Sequence, residues 1–403
     1  MPSPITCFTA AEETDGFIAC QRIAAALLPP PRLRALLDAV GGDPLEALRL
    51  PLKTLAMPPI GLTEKQAARL KEAAAAPLPP RLIEQAKSLG ASVVTFRDPS
   101  YPANLAPLSD APPLLFVRGV LYPDDRFSVA IVGSRRATMY GREASNRFAQ
   151  ALSERGLCIV SGGALGIDTS AHQRALAAGG RTIAVLGCGI DVGYPADNRA
   201  LFAQAVERGS AVISEFPMGT KPEPWRFPTR NRIIAGIARA TLVIETPEDS
   251  GALITARNAA EYGRDVWVVP GPIDSGRSRG GHKLVQDGAG LADSPNDILF
   301  ALGISTEAET PPAQAPRSRD TLQPKLLAVE PETAPPLSPP PLPVNLSPDE
   351  AKLLPHFDLS PRHLDEASAA SGLSAPQATV AATLLEMKSL IRRQPGNLFV
   401  RVL

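Results

Sequence analysis

The sequence predicts a doubly wound α/β sheet at the centre of a 403-residue chain. Three observations carry that prediction. From Ser128 onward, short apolar runs alternate with helical patterns. The runs are continuously apolar, which is the pattern of strands buried on both faces of a parallel sheet. A small-residue turn, Ser161-Gly162-Gly163-Ala164-Leu165-Gly166-Ile167-Asp168, joins one run to the helix after it. Such a turn leaves backbone N–H groups at a helix start, where the helix dipole favours an anion.

The elements follow in order. Residues 1–80 predict a small helical domain of SAM or helix-hairpin-helix type, with helical patterns at Gln21–Leu28, Pro31–Ala39, Pro44–Leu48 and Thr63–Ala74. Thr63 with Gln66 three residues on spells a capping box. Pro58-Pro59-Ile60-Gly61-Leu62 resembles a hairpin turn whose amides touch a nucleic-acid backbone, and it equally suits a plain packing module. A helix, the strand Ser92–Phe96 and an extended stretch to Leu114–Gly119 lead into the central region, 81–304. Its strands are Val129–Gly133, Leu157–Val160, Thr182–Leu186, Ala211–Glu215, Thr241–Glu245 and Asp265–Val269. Its helices are Gly141–Arg155, Asp168–Ala178, Ala196–Arg208, Arg230–Ala238 and Leu253–Tyr262, with two shorter ones at His282–Asp287 and Pro295–Leu302.

Residues 305–346 predict a linker, because Thr310–Val344 holds 11 prolines and little apolar periodicity. In 347–403, three helical patterns precede the strands Leu390–Arg393 and Leu398–Val402, joined at Gln394-Pro395-Gly396-Asn397. That order describes a winged helix. Its third helix, Ala375–Lys388, carries one Lys and one Glu, so a protein partner suits it as well as duplex DNA does.

Composition narrows the function. The apolar share of 44% and charged share of 20% fit a globular chain, and no apolar run reaches a membrane span, so no membrane association is expected. The first residues lack a basic start and apolar core, and Cys7, Cys20, Cys158 and Cys188 form no CxxC pair. A cytoplasmic protein with reduced thiols and no metal is expected. The formal net charge of zero hides an asymmetry: 126–240 holds 15 Lys and Arg against 8 Asp and Glu, whereas 241–300 holds 5 against 9. A basic half points to a polyanionic partner.

In a doubly wound sheet, ligands sit beyond the carboxyl ends of the strands. Those ends carry Gly133-Ser134-Arg135-Arg136, the Ser161–Asp168 turn, Gly187-Cys188-Gly189 and Glu215-Phe216-Pro217. Neither a GxGxxG nor a GxxxxGK[ST] motif is present, so no cofactor is expected. The segment Lys221–Arg232 interleaves cations with Trp225 and Phe227, a composition suited to single strands because bases stack on aromatic rings. Either ring can instead anchor the core. Asp168, Glu215, Glu245 and His172 can be assembled into an acid–base set, but Asp168 is sufficiently explained as a helix-start acid and His172 as a packed or solvated residue.

Four blocks give the chain a resemblance. They are Ile131–Arg135, Ser161–Asp168, Phe227-Pro228-Thr229-Arg230-Asn231-Arg232-Ile233-Ile234-Ala235-Gly236 and Ser250–Ala256. In that order they are similar to the bacterial DNA-processing protein A (DprA, or Smf) family over about Pro99–Ala301. The resemblance implies an extended Rossmann-like domain that binds single-stranded DNA without catalysis. It also implies protection of incoming DNA, loading of the RecA recombinase in natural transformation, and a homodimer. Carried onto this chain, the family's binding positions fall on Ser134 and Arg135, on the Ser161–Gly166 turn, and near Lys221 and Arg230. Joined to the strand-end and Lys221–Arg232 readings, the expected DNA-binding set is Ser134, Arg135, Arg136, Ser161, Gly162, Gly163, Gly166, Lys221, Trp225, Phe227, Arg230, Asn231 and Arg232. His282, after Gly280-Gly281, stands where relatives tend to have Asn. The enzymatic alternative is a nucleotide-binding enzyme of the lysine-decarboxylase-like phosphoribohydrolase type, whose Pro-Gly-Gly-x-Gly-Thr signature is absent from Glu248–Ala252. A third reading is an adaptor whose helical ends bind proteins.

Overall fold

The structure is a computed structural model that describes residues 7–12, 14–304, 346–357, 362–388, 390–394 and 398–401. The expected linker, Leu346 apart, and the turn residues Pro395, Gly396 and Asn397 lie outside the described residues. The chain divides into two compact units, Met1–Ala313 and Gln314–Leu403.

The first unit opens with β1 (Cys7–Thr9) and helices α1 (Thr14–Ala25), α2 (Pro30–Ala39), α3 (Pro44–Arg49), α4 (Leu52–Ala56), α5 (Glu64–Ala75) and α6 (Pro80–Ser88). Strands β2 (Ala91–Thr95) and β3 (Leu114–Gly119) follow. The alternating region then runs β4 (Ser128–Gly133), α7 (Met139–Glu154), β5 (Cys158–Ser161), α8 (Ile167–Ala177), β6 (Thr182–Val185), α9 (Arg199–Glu207) and β7 (Ala211–Ser214). It continues through α10 (Arg226–Ile237), β8 (Ala240–Ile244), α11 (Ala252–Glu261), β9 (Asp265–Val268), α12 (Arg279–Gln286), β10 (Gly290–Leu291) and α13 (Pro295–Ala301).

These strands form one sheet in the order β1-β2-β3-β7-β6-β5-β4-β8-β9-β10. From β7 to β10 every pairing is parallel, as the continuous apolar runs require. Side chains alternate between the faces. Val129 and Ile131 join a core with Phe148, Leu152 and Ile167, while Ala130 and Val132 join another with Ile233, Ile234 and Ala256. Each fully buried Val or Ile contributes about 1.5–3 kcal/mol, so both faces stabilise the sheet.

The strands before Ser128, whose pairing the sequence pattern left open, add an antiparallel extension: β3 pairs β7, and β1 and β2 add outside it. The three-residue β1 is too short to show a periodic pattern. Nor do the early helices stand apart from the sheet. Phe17, Leu36, Leu55 and Leu70 share one core with Val93, Leu114, Phe116 and Met218. Thr63 and Gln66 make the expected capping box. In the neighbouring turn, Gly61 N–H donates to Met57 O and Leu62 N–H to Leu55 O, while Ile60 and Leu62 are buried. That arrangement is packing.

The parallel order places the switch point between β4 and β8. The chain winds outward from β4 through β7, then returns to β4's other side. The crevice beyond these two strand ends is the place for a ligand.

In the second unit, α14 (Pro348–Leu353), α15 (Leu364–Ser371) and α16 (Ala375–Met387) pack on a sheet of β11 (Arg362–His363), β12 (Ile391–Gln394) and β13 (Leu398–Arg401), ordered β11-β13-β12. Leu353, Phe357, Leu385 and Phe399 form its core. This is the expected winged helix, with β11 added. On α16 the hydroxyls of Thr379 and Thr383 donate to Ala375 O and Thr379 O. Val380 and Leu384 are exposed, so that part of the helix surface is apolar.

Among the described residues no helix is long and apolar enough to cross a membrane.

Candidate nucleic-acid interface

The site is built around the exit of β4. Gly133 lies so close to β8 that a Cβ there would sit 2.0 Å from Ile244 O. Gly166, at φ +83°, receives the backbone that follows: a Cβ on it would meet Ser134 O at 2.2 Å. Only glycine suits both the left-handed φ and this approach. Ile167 N–H then donates to Ser134 O at 3.2 Å, fixing the turn to the start of α8. Ser134 is itself buried, and its Oγ accepts from Arg136 N–H at 3.1 Å. The turn therefore presents Arg135 and Arg136 outward, and both are exposed.

The Arg135 guanidinium lies 5.4 Å from the Phe227 ring centroid, within cation–π range. Phe227 pairs in turn with Tyr194 at 5.6 Å and 41°. A cleft of about 530 Å³ opens here, lined by Ser134, Arg135, Tyr194, Phe227, Asn231 and Ser250, among others. A pocket of about 170 Å³ adjoins it toward Gly162, Leu165 and Pro195. On the other side of Arg135, a groove of about 550 Å³ runs along Arg136, Ser275 and Arg277. Among the described residues no carboxylate pairs with Arg135, Arg136 or Arg277.

Beneath this rim the structure departs from the sequence expectations. Arg230 is not a surface cation: it is 3% exposed, and its Nη1 donates to Gly162 O at 2.6 Å and to Val185 O. The reason is that α10 begins at Arg226, four residues before the expected start, which turns Arg230 inward under the glycine turn. Pro228 is tolerated because it falls in the first helical turn. Burial pushes the Arg230 pKa down to about 10, against the opposing charge of Asp168.

The amides expected to be bare are also occupied. Asp168 Oδ2 accepts from Gly162 N–H at 3.1 Å and from Ala164 N–H at 3.2 Å. The acid therefore ties the turn together, and it does not cap α8. Burial raises its pKa, while Arg230 and the two amides hold it down. Ser161 is buried, its hydroxyl donating to Ile131 O at 2.6 Å, and Gly163 packs against Phe202.

Of the cations in Lys221–Arg232, Arg232 is engaged elsewhere. It pairs with Glu215 at 2.6 Å and lies 3.8 Å from Asp110. Lys221 is exposed but outside the cleft lining. Trp225, 50% exposed, meets Phe216 edge-on and donates from Nε1 to Glu223 at 2.5 Å, also off the cleft. Asn231 lines the cleft and donates to Gly251 O at 3.0 Å.

The residues of the acid–base set are likewise occupied. Glu215 holds Arg232, and Glu245 accepts from Thr138 at the start of α7. His172 is 1% exposed, with Nδ1 2.6 Å from the Thr182 hydroxyl. That hydroxyl gives its one proton to Ile159 O, so Nδ1–H must be the donor. Burial, with Arg230 nearby, takes the His172 pKa down to about 3.

The sequence expectations missed Tyr194, Ser275 and Arg277. The signal for Tyr194 was an aromatic beside a proline in the loop after β6, where a doubly wound sheet collects its ligand groups. Arg277 lies in a stretch counted as net acidic, which masked it.

Comparison with known proteins bears on this geometry. The family model described as DNA recombination-mediator protein A matches residues 92–303, and the DprA winged helix domain matches 335–397. The chain is 37% identical to Protein Smf of Synechocystis over 336 residues, 80% of this chain and 83% of the relative. It is 46% identical to DNA processing protein DprA of Streptococcus pneumoniae over 202 residues, 50% of this chain and 71% of the relative. The solved structure of that pneumococcal protein aligns with a TM-score of 0.59 at 36% identity, covering 69% of this chain and 95% of its own.

Proposed function

The chain belongs to the DNA recombination-mediator protein A (DprA/Smf) family of DNA-processing proteins, and from that premise we propose that it binds single-stranded DNA across the β4–β8 crevice without transforming it. The observation that carries the reading is the placement of Arg135, which pairs with no carboxylate among the described residues, over the Phe227 ring, with Tyr194 against that same ring in the cleft lining. A cation beside an open aromatic pair suits a phosphodiester and the unstacked base next to it. In a duplex the base faces are already covered. Occupied carboxylates at Asp168, Glu215 and Glu245 support a binding role over an acid–base one.

On the same reading, the protein works in the cytoplasm as a homodimer. It shields incoming strands and loads RecA on them during natural transformation. The decisive measurement is the affinity for a labelled oligothymidine as salt is raised. A steep loss is expected, together with weaker binding by Arg135→Ala for all sequences alike. Salt-independent affinity would remove the phosphate grip from the account. Release of free base from a nucleoside monophosphate would favour the hydrolase alternative. RecA loading is tested separately, by whether the protein speeds RecA filament nucleation on oligonucleotides.

A further inference from the structure

The loop between β9 and α12 belongs to no sequence motif tied to binding, yet it is tied down at several points along the groove. Tyr140 Oη donates to Pro270 O, and His282 Nε2 lies 3.1 Å from Gly271 O. Within the loop, Ser275 N–H donates to Pro272 O and Ser278 N–H to Ser275 O. A Cβ on Gly271 would strike Ser278 Oγ at 2.2 Å, so the loop closes tightly on itself. Across the groove, Arg277 Nη1 donates to Arg136 O at 2.7 Å. That bond uses one of five guanidinium N–H donors and neutralises no charge.

We propose that Arg277, with Arg136, forms a second phosphate grip for a strand whose first contact is Arg135. The proposal rests on the single-strand reading above and deepens it. Three features support it. The cleft at Phe227 and the groove at Arg277 share Ser134, Arg135 and Pro247, so a chain leaving the first enters the second without a break. The groove's lining contributes three guanidiniums and no carboxylate, and Asp274, the loop's one acid, is exposed outside that lining. The groove lining also lacks an aromatic ring. It is thus suited to backbone and unsuited to bases, opposite in character to the cleft.

Length separates the two grips. On this proposal a tetrathymidine is held at the cleft alone, whereas an icosathymidine is long enough to reach the groove as well. Arg277→Gln keeps a donor for Arg136 O and removes the charge, while Arg277→Lys keeps the charge and alters the bond. We expect Arg277→Gln to weaken the 20-mer by about fivefold and lower its salt slope by about 0.7, the share of one phosphate on a single strand. Tetramer affinity stays within about twofold, and Arg277→Lys recovers most of the 20-mer loss. Wild-type 20-mer binding by Arg277→Gln, or equal losses at both lengths, overturns the second grip. If Arg135→Ala weakens both oligomers in that same experiment, the single-strand reading survives. If Arg135→Ala binds like wild type as well, both fall together.

Discussion

Two layers of the same crevice use one residue type in opposite ways. In the upper layer Arg135, Arg136 and Arg277 are exposed and, among the described residues, unpaired with carboxylates, and Arg135 rests on an aromatic ring. In the lower layer Arg230 is buried, and Arg232, to one side of the crevice, is nearly so. One is clamped on backbone carbonyls beside Asp168, the other on Glu215 and Asp110. The difference is in desolvation. A buried guanidinium loses its hydration and must be repaid by fixed partners, so it holds structure. An exposed one keeps its hydration until a phosphate displaces counterions, so it is available for binding.

The comparison breaks most directly at Arg230. Replacing it with Met strands Asp168 in a buried site and should cost about 3–5 kcal/mol of stability, read as a fall in Tm. A variant that melts like wild type would place Arg230 in the upper layer after all. His172 tests the same buried layer through pH. Its folded pKa of about 3 lies below the ordinary 6.5. The unfolded chain therefore takes up a proton as pH drops through 6.5, and the folded one does not until about 3. Stability from this group is complete above pH 6.5 and lost as pH falls toward 3, on the order of 3 kcal/mol by pH 4. His172→Gln should show a flatter Tm–pH curve over that window than wild type. Raised carboxyls at Asp168 and Glu215 act with the opposite sign in both proteins and cancel in the difference.

The upper layer should respond in affinity at constant Tm. Phe227→Ala removes the ring beneath Arg135 and should weaken oligothymidine by about 1–3 kcal/mol, measured by fluorescence anisotropy. Arg135→Ala should cost about 1 kcal/mol at moderate salt and lower the salt slope by about 0.7. Trp225→Ala should change binding least, within about 0.5 kcal/mol, because the ring is turned to Phe216 and Glu223. A Trp225 effect as large as that of Phe227 would move the base-stacking surface out of the cleft.

Much of the architecture was legible in advance because it follows from short-range pattern. Continuous apolar runs, the glycines at β4 and α8, and the capping box at Thr63 each depend on neighbours a few residues away. Ser134 and Arg135 could be placed at the crevice because they follow directly on the end of a buried parallel strand. The Lys221–Arg232 stretch was harder, because an arginine's environment is set by whatever folds against it.

From the sequence alone came the β–α order, the strand ends that face the crevice, the winged helix and the family blocks. Tertiary structure decided which cations are available. Arg230 meets carbonyls 68 and 45 positions away, and Arg277 reaches a turn 141 positions away. Burial and ion pairing are long-range in sequence, and no local period encodes them.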